Sequence, residues 1–422
     1  MTQIAEHLLR AKDVVARCQT LALFTEDPPR ICRTFLSPPM RACHRQIEDW
    51  MRPLGMTVTV DAAGNLHGLY PGTEGADNRR LLIGSHLDTV PDAGAYDGIL
   101  GVMLAISLLE SLKGRRLPFA IEVIGFSEEE GVRFGVPFIG SRALVGRLDD
   151  ELLSLRDSKN LSVQKAILSY GLNPSEIPAA TLQDGVLGYL EFHIEQGPVL
   201  EHRELQLGIV EAIAGQTRME LVFTGFAGHA GTTPMSLRRD ALAAAAEWAI
   251  AVEKEAIEIP GLVATVGALE AKPGAANVIA GECRATLDVR HASDTARTQS
   301  VSAVLQSAAE IARRRRISLA SSTKLTQSAT RMDSFLVDEI ETAFTQAAIT
   351  PYRMTSGAGH DAMILAEKVP SAMIFLRSPG GISHNPQESV LVEDVAKAIE
   401  CGLHLLNQLA ASPEFQSRAH RA

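Results

Sequence analysis

The feature that most restricts the fold is a set of almost uninterrupted apolar strands that alternate with helices in the first half of the chain. The segments "LLIGS" (81–85), "FAIEVIGF" (119–126) and "GYLEFHI" (188–194) have the length and apolar character of strands buried on both faces. Between the first two lies "GILGVMLAISLLESL" (98–112), which is typical of a buried helix. This order predicts a parallel or mixed sheet covered by helices, which is an α/β architecture.

The pattern changes near residue 213, where the strands begin to alternate polar and apolar residues. "RMELVFTGF" (218–226), "LVATVGALEA" (262–271) and "CRATLDVRH" (283–291) are typical of strands with one exposed face. "DALAAAAEWAIAVEKEA" (240–256) is typical of a long helix. These elements predict a small α+β layer.

Buried elements return in the last quarter of the chain. "SAMIFLR" (371–377) reads as a buried strand and "VEDVAKAIECGLHLLNQLA" (392–410) as an amphipathic helix. The simplest organisation is one catalytic domain made of residues 1–212 and 329–422, interrupted by an inserted domain of residues 213–328.

Composition and charge exclude several classes of partner. The 422-residue chain carries a formal net charge of -10 at pH 7, which disfavours nucleic acid and anionic membranes as partners. No stretch reaches the roughly 20 apolar residues of a membrane span, and the N-terminus lacks the apolar core of a signal peptide. Five scattered cysteines without a CxxC pair indicate free thiols in a reducing compartment. We therefore expect a soluble cytoplasmic protein.

Polar residues with metal-binding chemistry follow the first apolar strand. "GSHLDTVP" (84–91) places His86 at the strand end and Asp88 two residues later on the same face. Asp88 could therefore hydrogen-bond the His86 imidazole, which is the usual support of a metal-binding histidine. The alternative is a capped loop with a surface histidine. Asp97, just before the apolar helix, is either a further ligand or an N-cap.

Three adjacent glutamates follow the second apolar strand. That strand should deliver Glu128, Glu129 and Glu130 to the carboxyl edge of the sheet, where open α/β folds place their sites. Because adjacent carboxylates repel one another, bound cations would stabilise them. His193 ends a third strand, and His384 lies in a glycine-rich loop after a fourth.

This combination of imidazoles and carboxylates without cysteine suits a divalent Zn, Mn, Co or Ni ion. The residues are numerous enough for two ions. Two cations about 3.5–4 Å apart would neutralise the acidic groups and lower the pKa of a water between them, leaving a free carboxylate nearby to take its proton.

Taken in chain order, these residues resemble the five-ligand dimetal pattern of the M20-type metallopeptidase superfamily: His86-x-Asp88, Asp97-Gly98, Glu129-Glu130-Gly131, His193 and His384. Longer strings resemble its carbamoylase branch, which comprises N-carbamoyl-L-amino-acid hydrolases, β-ureidopropionases and allantoate amidohydrolases. These strings are "GSHLDTVP", "EEEGVRFG", "HIEQGPVLE", "GHAGTTPM", "GAGHDAM" and "SHNPQE". The resemblance extends from about residue 80 to 390.

The resemblance implies a role for each ligand position. His86 and His193 would each bind one metal, Asp97 would bridge the pair, and the shells would be completed by Glu130 and His384. Two divalent ions per subunit are expected, Zn or Mn, with Co or Ni as further options.

The resemblance also implies that Glu129 is the general base, which takes a proton from the attacking water and later protonates the leaving nitrogen. Spacing alone also permits a register shifted by one, with Glu128 as the base and Glu129 as the ligand. The Glu-Glu-Gly order of the family favours Glu129 as the base and Glu130 as the ligand.

The resemblance further implies a mixed-sheet, metallopeptidase-like catalytic domain with an inserted α+β dimerisation (lid) domain. Within the lid, His229 would stabilise the oxyanion of the tetrahedral intermediate, and Asn277 and Arg290 would bind the substrate carboxylate. The strand alternation independently puts Arg290 on a polar face. Gln196 and His360 match further polar positions of the family's pocket.

The sequence therefore predicts a homodimeric, dimetal amidohydrolase that releases ammonia from a small ureido acid. Allantoate and N-carbamoyl-L-amino acids are the two expected substrate classes, and the strings "VPDAGAYDGILGV" and "FSEEEGVRFGVPFIGSR" favour allantoate by resemblance alone. The alternatives are an aminopeptidase or dipeptidase of the wider superfamily, and a non-catalytic metal- or ligand-binding protein on the same scaffold.

Overall fold

The structure, a computed structural model, describes residues 3–76 and 78–418. Within these residues the chain forms two compact units. The first comprises the described residues up to Glu211, Met332–Met354, and the described residues from Gly359 onward. The second comprises Ala212–Arg331 and Thr355–Ala358.

Strands and helices alternate along the described chain. The strands are β1 Thr57–Val60, β2 Leu66–Tyr70, β3 Arg80–His86, β4 Ala120–Phe126, β5 Val186–Ile194, β6 Leu207–Ile213, β7 Gly215–Thr224, β8 Gly228–His229, β9 Val263–Thr265, β10 Leu269–Lys272, β11 Val278–Ile279, β12 Glu282–His291, β13 Ser318–Gln327, β14 Thr330–Arg331, β15 Arg353–Ser356 and β16 Ser371–Leu376. The α-helices are α1 Gln3–Ala22, α2 Pro38–Met51, α3 Ile99–Ser111, α4 Ile139–Leu144, α5 Asp150–Ser154, α6 Val163–Tyr170, α7 Ile177–Ala180, α8 Val199–His202, α9 Ala241–Glu258, α10 Asp294–Arg315, α11 Ser334–Gln346, α12 Asp361–Leu365, α13 Val392–Ala411 and α14 Pro413–Ser417. None of these helices is both long and apolar enough to cross a lipid bilayer.

The large sheet is mixed, which confirms the predicted α/β class. Its strands are ordered β1-β2-β4-β3-β5-β16-β6, and the short strands β14 and β15 also pair with β6. The four central strands β4, β3, β5 and β16 run parallel to one another, whereas β1, β2 and β6 pair antiparallel. The predicted apolar segments form these central strands, and every residue of β4 and β5 is buried.

The register of the central strands brings their carboxyl ends level. His86 at the end of β3 pairs with Phe126 at the end of β4, and His193 near the end of β5 pairs with Phe375 of β16. Polar residues at or just after these positions are therefore delivered to one edge of the sheet.

The second unit contains a smaller antiparallel sheet, in the order β10-β12-β7-β13 with β9 also on β12. Along β12 the predicted alternation is confirmed, because Cys283, Ala285, Leu287 and Val289 are buried in the same core as Trp248 of α9.

Two features of this sheet were not predicted correctly. "LVATVGALEA" is not one strand but two, β9 and β10, which pair with β12 in registers that differ by one residue. The extra residue forms an irregular stretch around Gly267, where a missing side chain tolerates the break. The exposed strand β13 was not predicted, because its polar sequence lacks a regular apolar alternation.

A partly buried cluster of ionisable side chains joins β2 to β4 and to the residue just after β1, and it consists of His67, Glu122 and Asp61. His67 Nδ1 lies 2.8 Å from Glu122 Oε1, and His67 Nε2 lies 3.2 Å from Asp61 Oδ2. Burial alone would lower the pKa of His67, but the hydrogen bonds and negative charge of the two carboxylates raise it to about 10. His67 is therefore protonated in the folded protein at neutral pH.

We expect His67→Gln to destabilise the protein most at low pH. Because the folded-state pKa of His67 lies above the unfolded value of 6.5, its contribution is complete below pH 6.5 and is lost as the pH rises towards 10. The free energy of unfolding should fall by on the order of 3 to 5 kcal/mol at pH 6, since one pKa unit corresponds to about 1.4 kcal/mol.

Urea unfolding of both proteins at pH 6 and pH 10 measures this difference. The gap between wild type and variant should narrow markedly at pH 10, and His202→Gln, at the exposed end of α8, should show no gap at either pH. An equal gap at both pH values would contradict the charged state of His67.

Candidate metal centre

Five sequence-predicted ligands come together at the carboxyl edge of the large sheet, within the first unit. They form two groups of three residues that share Asp97: His86, Asp97 and His193 in one, and Asp97, Glu130 and His384 in the other. In each group, one ligand atom per residue lies within 4.8 Å of the others. His86 and His193 share the first group, and His86 also forms a group with Glu129 and Glu130. The assignment of one metal to each of the two histidines stays a prediction.

The first group is compact and buried. The two Nε2 atoms of His86 and His193 are 3.3 Å apart, and Asp97 Oδ1 lies 3.5 Å from the first and 3.2 Å from the second. Three potential ligand atoms therefore face a common point.

Backbone carbonyls fix the tautomers of these two histidines. His86 Nδ1 lies 3.0 Å from the carbonyl oxygen of Asp88, and His193 Nδ1 lies 2.9 Å from that of Ile194. Since a carbonyl only accepts, each Nδ1 carries a proton and donates it. In the neutral imidazoles, each Nε2 then presents a lone pair, which is the arrangement of a metal-binding histidine.

The second group shares the other oxygen of the same carboxylate. Asp97 Oδ2 lies 3.3 Å from His384 Nε2, which in turn lies 3.5 Å from Glu130 Oε1. Asp97 therefore presents one oxygen to each group, as a bridging ligand of two cations would.

The donor set fits two divalent ions. Asp97 Oδ1 is buried and has no hydrogen-bond partner among the described residues, although it faces two imidazole nitrogens. A buried carboxylate oxygen without a donor is costly unless a cation neutralises it. Imidazole and carboxylate ligands without thiolates suit Zn or Mn.

Asp97 does not cap helix α3, so the N-cap alternative is wrong. The N-cap position is Gly98, and no side chain caps the helix there. Gly98 has a φ of 71°, and a Cβ on it would lie 2.5 Å from the His86 ring. A glycine is required here because the backbone is left-handed and the imidazole occupies the space.

Asp88 supports the site differently from the prediction. Its carboxylate oxygen lies 3.5 Å from His86 Nδ1, beyond good hydrogen-bond geometry, and it is the backbone carbonyl of Asp88 that contacts the imidazole. The carboxylate accepts instead from the backbone N–H groups of Glu129, at 2.9 Å, and Glu130, at 3.1 Å. Asp88 therefore orients a ligand-bearing loop as well as a histidine.

The pKa shifts of the acidic residues reflect this crowding. Burial raises the pKa of Glu129 well above its usual value, and Glu130, Asp361 and Asp88 add to that effect against the opposing charge of His86. Burial likewise raises the pKa of Glu130 to about 7.

The pKa of Asp97 is shifted in the opposite direction. Burial would raise the pKa of Asp97, but its close polar contacts with the imidazoles of His193, His384 and His86 hold it well below its usual value. Of Asp97, Glu129 and Glu130, Asp97 is therefore the one whose pKa is lowered and not raised.

Glu128 belongs to neither Asp97 group. It is fully buried, and its pKa is raised well above the usual value by burial and then by the charge of Asp88. A third group brings Glu129 and Glu130 together with His86, and Glu128 is in none of these groups.

Gln196 and His360 also adjoin this centre. Gln196 Nε2 donates to Asp97 Oδ2 at 2.8 Å, and both Gln196 and His384 have positive φ angles, 59° and 53°. His360 is buried, and its ring packs edge-on against that of His193, with centroids 4.4 Å apart.

His229, Asn277 and Arg290 lie in the second unit. Strand β8 pairs His229 with Val278 of β11, and the carbonyl of Asn277 accepts from the N–H of Ala230 at 2.9 Å, so the first two residues are held side by side. The N–H of Gly231 donates to His229 Nδ1 at 3.1 Å, which leaves the proton of the neutral imidazole on Nε2, as a donor.

Arg290 lies on the half-exposed face of β12 and is already paired. Its Nε and Nη2 atoms donate to the two carboxylate oxygens of Asp288, each at 2.9 Å, and Nη1 donates to the carbonyl of Gly357 at 2.7 Å. The ion pair orients the guanidinium group. The edge that the two Nη atoms form together is not the edge that binds Asp288.

Two residues of the centre were not predicted. Ser383 donates to Asp97 Oδ2 at 2.8 Å, and Glu388 accepts from the N–H groups of Tyr96 and Asp97. Both belong to the "SHNPQE" string that carries His384, so a hydroxyl next to a ligand and a carboxylate four residues after it were the available signals.

Comparison with known proteins gives a consistent result. Residues 82–408 match the family described as Peptidase family M20/M25/M40. A rice protein (Oryza sativa subsp. japonica) named probable allantoate deiminase is 39% identical over 436 residues, which cover 94% of this chain and 87% of the relative. An N-carbamoyl-L-amino acid amidohydrolase of Geobacillus stearothermophilus is 41% identical over 368 residues, which cover 86% of this chain and 90% of the relative.

A solved structure agrees with these relatives. The crystal structure of an amidase of the hydantoinase/carbamoylase family from Burkholderia multivorans superposes with a TM-score of 0.89 at 30% identity. The match covers 96% of this chain and 98% of that chain.

Proposed function

The chain belongs to Peptidase family M20/M25/M40, and from that membership and the geometry of its centre we propose that it is a dimetal amidohydrolase acting on a small ureido acid. The substrate would be allantoate or an N-carbamoyl-L-amino acid, and the reaction would release ammonia. Relatives named for each of the two substrate classes support this choice.

One observation carries the proposal. A single buried carboxylate, Asp97, presents its two oxygens to two separate groups of ligands. A site for one structural ion needs four ligands around one point, whereas a shared carboxylate is what a pair of catalytic ions requires.

The residues of the chain then have separate tasks. Two bound ions would polarise the ureido carbonyl and lower the pKa of the attacking water. Glu129 accepts the proton of that water and returns it to the leaving nitrogen. Its buried position beside His86 and Glu130 suits a group that exchanges a proton with the attacking water.

The second unit would supply the substrate-binding residues. His229 would donate from Nε2 to the oxyanion, with its tautomer fixed by Gly231. Arg290 would bind the substrate carboxylate through its Nη edge, and Asn277 would donate a further hydrogen bond. The same unit exposes Ile250 and Ile257 of α9, seven residues apart on one helix face, and we propose that it forms a homodimer, which light scattering would measure.

Arg290→Lys is expected to raise KM for a ureido acid about 10- to 100-fold, because an ammonium cannot replace the forked contact with a carboxylate and hydrogen bonds to charged groups contribute about 1.5–3 kcal/mol. The change in kcat should be smaller. Steady-state kinetics of ammonia release would measure both.

Arg218→Lys is the matched control for this substitution. Arg218 donates to the same Asp288 carboxylate and lies opposite it in the sheet, but half of its side chain is exposed. Its replacement should leave KM unchanged. An equal rise in KM for both variants would indicate loss of Asp288 orientation and not of a substrate contact.

The activity itself is tested by ammonia release from allantoate, N-carbamoyl-L-amino acids and N-carbamoyl-β-alanine, after chelation and after Mn or Zn is restored. Dipeptides belong in the same assay. Turnover of dipeptides without turnover of any ureido acid would favour an aminopeptidase or dipeptidase. Activity that survives complete removal of metal would contradict the proposed chemistry.

A further inference from the structure

The carboxylate of Glu388, in the loop that follows His384, contacts the segment that carries Asp97. Glu388 is buried, and its Oε1 accepts from the N–H of Tyr96 at 2.8 Å and from the N–H of Asp97 at 3.1 Å. The side chain of one ligand loop therefore holds the backbone of the other.

A hydroxyl completes the connection. Ser383 Oγ lies 2.8 Å from Asp97 Oδ2 and 3.4 Å from Glu388 Oε2. Glu388 thus contacts the backbone of Asp97 directly. It also lies beside the Ser383 hydroxyl, which contacts the Asp97 carboxylate. The Ser383 hydroxyl contacts Asp97 Oδ2, which is the oxygen that faces the group of Asp97, Glu130 and His384. The Glu388 carboxylate contacts the backbone of the loop that carries Asp97.

The sequence also keeps space for this side chain. A Cβ on Gly94 would lie 2.3 Å from Glu388 Cβ and 2.4 Å from Glu388 Oε1. The φ angle of Gly94 is not in the left-handed region, so the requirement for glycine is one of space. An alanine there would displace the Glu388 carboxylate without changing its charge.

We propose that Glu388 is a positioning residue that joins the Asp97 and His384 loops and thereby sets how tightly the second group, Asp97, Glu130 and His384, retains its metal ion. The inference rests on the proposed dimetal function. The first group should depend on Glu388 much less, because its histidines are oriented by the carbonyls of Asp88 and Ile194.

Metal retention tests the proposal without reference to turnover. Wild type and the variants Glu388→Ala and Gly94→Ala are loaded with Zn or Mn and dialysed against increasing concentrations of a chelator, and the ions per chain are counted by elemental analysis. Wild type should hold two ions where both variants hold one. The weaker ion should be bound about 10- to 100-fold less tightly, as is typical when a group that orients a ligand is lost.

Two further variants separate position from charge and from general damage. Glu388→Gln keeps an oxygen that can accept both N–H groups, so it should retain two ions almost as wild type does. Glu201→Ala removes an exposed carboxylate that accepts from the N–H of Gly380 in a nearby loop, and it should also retain two. Circular dichroism before dialysis shows whether each variant is folded. If Glu388→Ala is not folded, Ser383→Ala, which removes only a hydroxyl, takes its place as the milder substitution.

Each outcome has a distinct meaning. If wild type never holds two ions, the proposed dimetal function fails. If wild type holds two and the Glu388→Ala and Gly94→Ala variants hold two equally tightly, only the role of Glu388 is overturned. If Glu388→Gln loses its ion as readily as Glu388→Ala, the charge of Glu388 matters and its positioning role is wrong.

Discussion

The Glu129→Gln variant is expected to lose about 1,000-fold in kcat while it keeps its metal ions. An amide has the shape of a carboxylate but cannot take the proton of the attacking water, and general base catalysis contributes about 100- to 10,000-fold. Metal content should be unchanged, because Glu129 belongs to neither of the groups that share Asp97. Ammonia release at saturating ureido acid and elemental analysis of the same sample measure the two quantities.

Glu128→Gln is the matched control, one residue away. Glu128 is fully buried, and it belongs to none of the groups of possible metal ligands. Replacing its carboxyl group with an amide of the same shape should therefore change kcat by less than about 10-fold.

These two variants decide the register of the three glutamates. Near-normal turnover by Glu129→Gln would refute its role as the base. If Glu128→Gln abolished turnover and Glu129→Gln lost metal, the pattern would instead indicate that Glu128 is the base and Glu129 a ligand. The two registers therefore predict opposite results from the same pair of proteins.

A non-catalytic binding protein would not need Glu129 in its position. The two ligand groups are complete without it, yet it is buried beside them with a raised pKa. Burying an acid that binds nothing is costly. A perturbed acid next to a metal centre is expected where a proton must be transferred, which favours an enzyme.

The fold of the first unit was predictable because its signals are local. A run such as Ala120–Phe126, which is apolar at all but one position, is expected to be buried on both faces, and parallel strands of that kind end at one edge of the sheet. Once His86 and His193 were assigned to strand ends, their proximity followed from topology alone. The observed register brings them to 3.3 Å.

The contacts that orient the ligands were not predictable in the same way. Spacing suggested that the Asp88 carboxylate would contact His86, but the chain turns so that this carboxylate accepts from Glu129 and Glu130, about 40 residues later. The contact between Glu388 and the N–H of Asp97 spans nearly 300 residues. Such pairs depend on tertiary packing, which no local periodicity records.

Asp97→Asn is expected to abolish turnover by removing the metal ions themselves. Asp97 presents one oxygen to each ligand group, and an asparagine has only one oxygen, so its amide nitrogen must face one of the groups as a donor that cannot bind a cation. The negative charge between the two ions is also lost. Because losing a mere orienting group lowers metal affinity about 10- to 100-fold, loss of this ligand should lower it by more than about 100-fold.

The matched control for Asp97→Asn is Asp92→Asn in the same loop. Asp92 is exposed and has a φ of 57°, a conformation that asparagine tolerates, so this variant should keep two ions and wild-type turnover. Elemental analysis after dialysis should find fewer than two ions in Asp97→Asn, and excess Mn or Zn should not restore its activity. Full metal content with low turnover would indicate that Asp97 acts on the reaction and does not bridge two ions. Full metal content with normal turnover would remove the basis of the dinuclear centre, because no other residue is shared by the two groups built on Asp97.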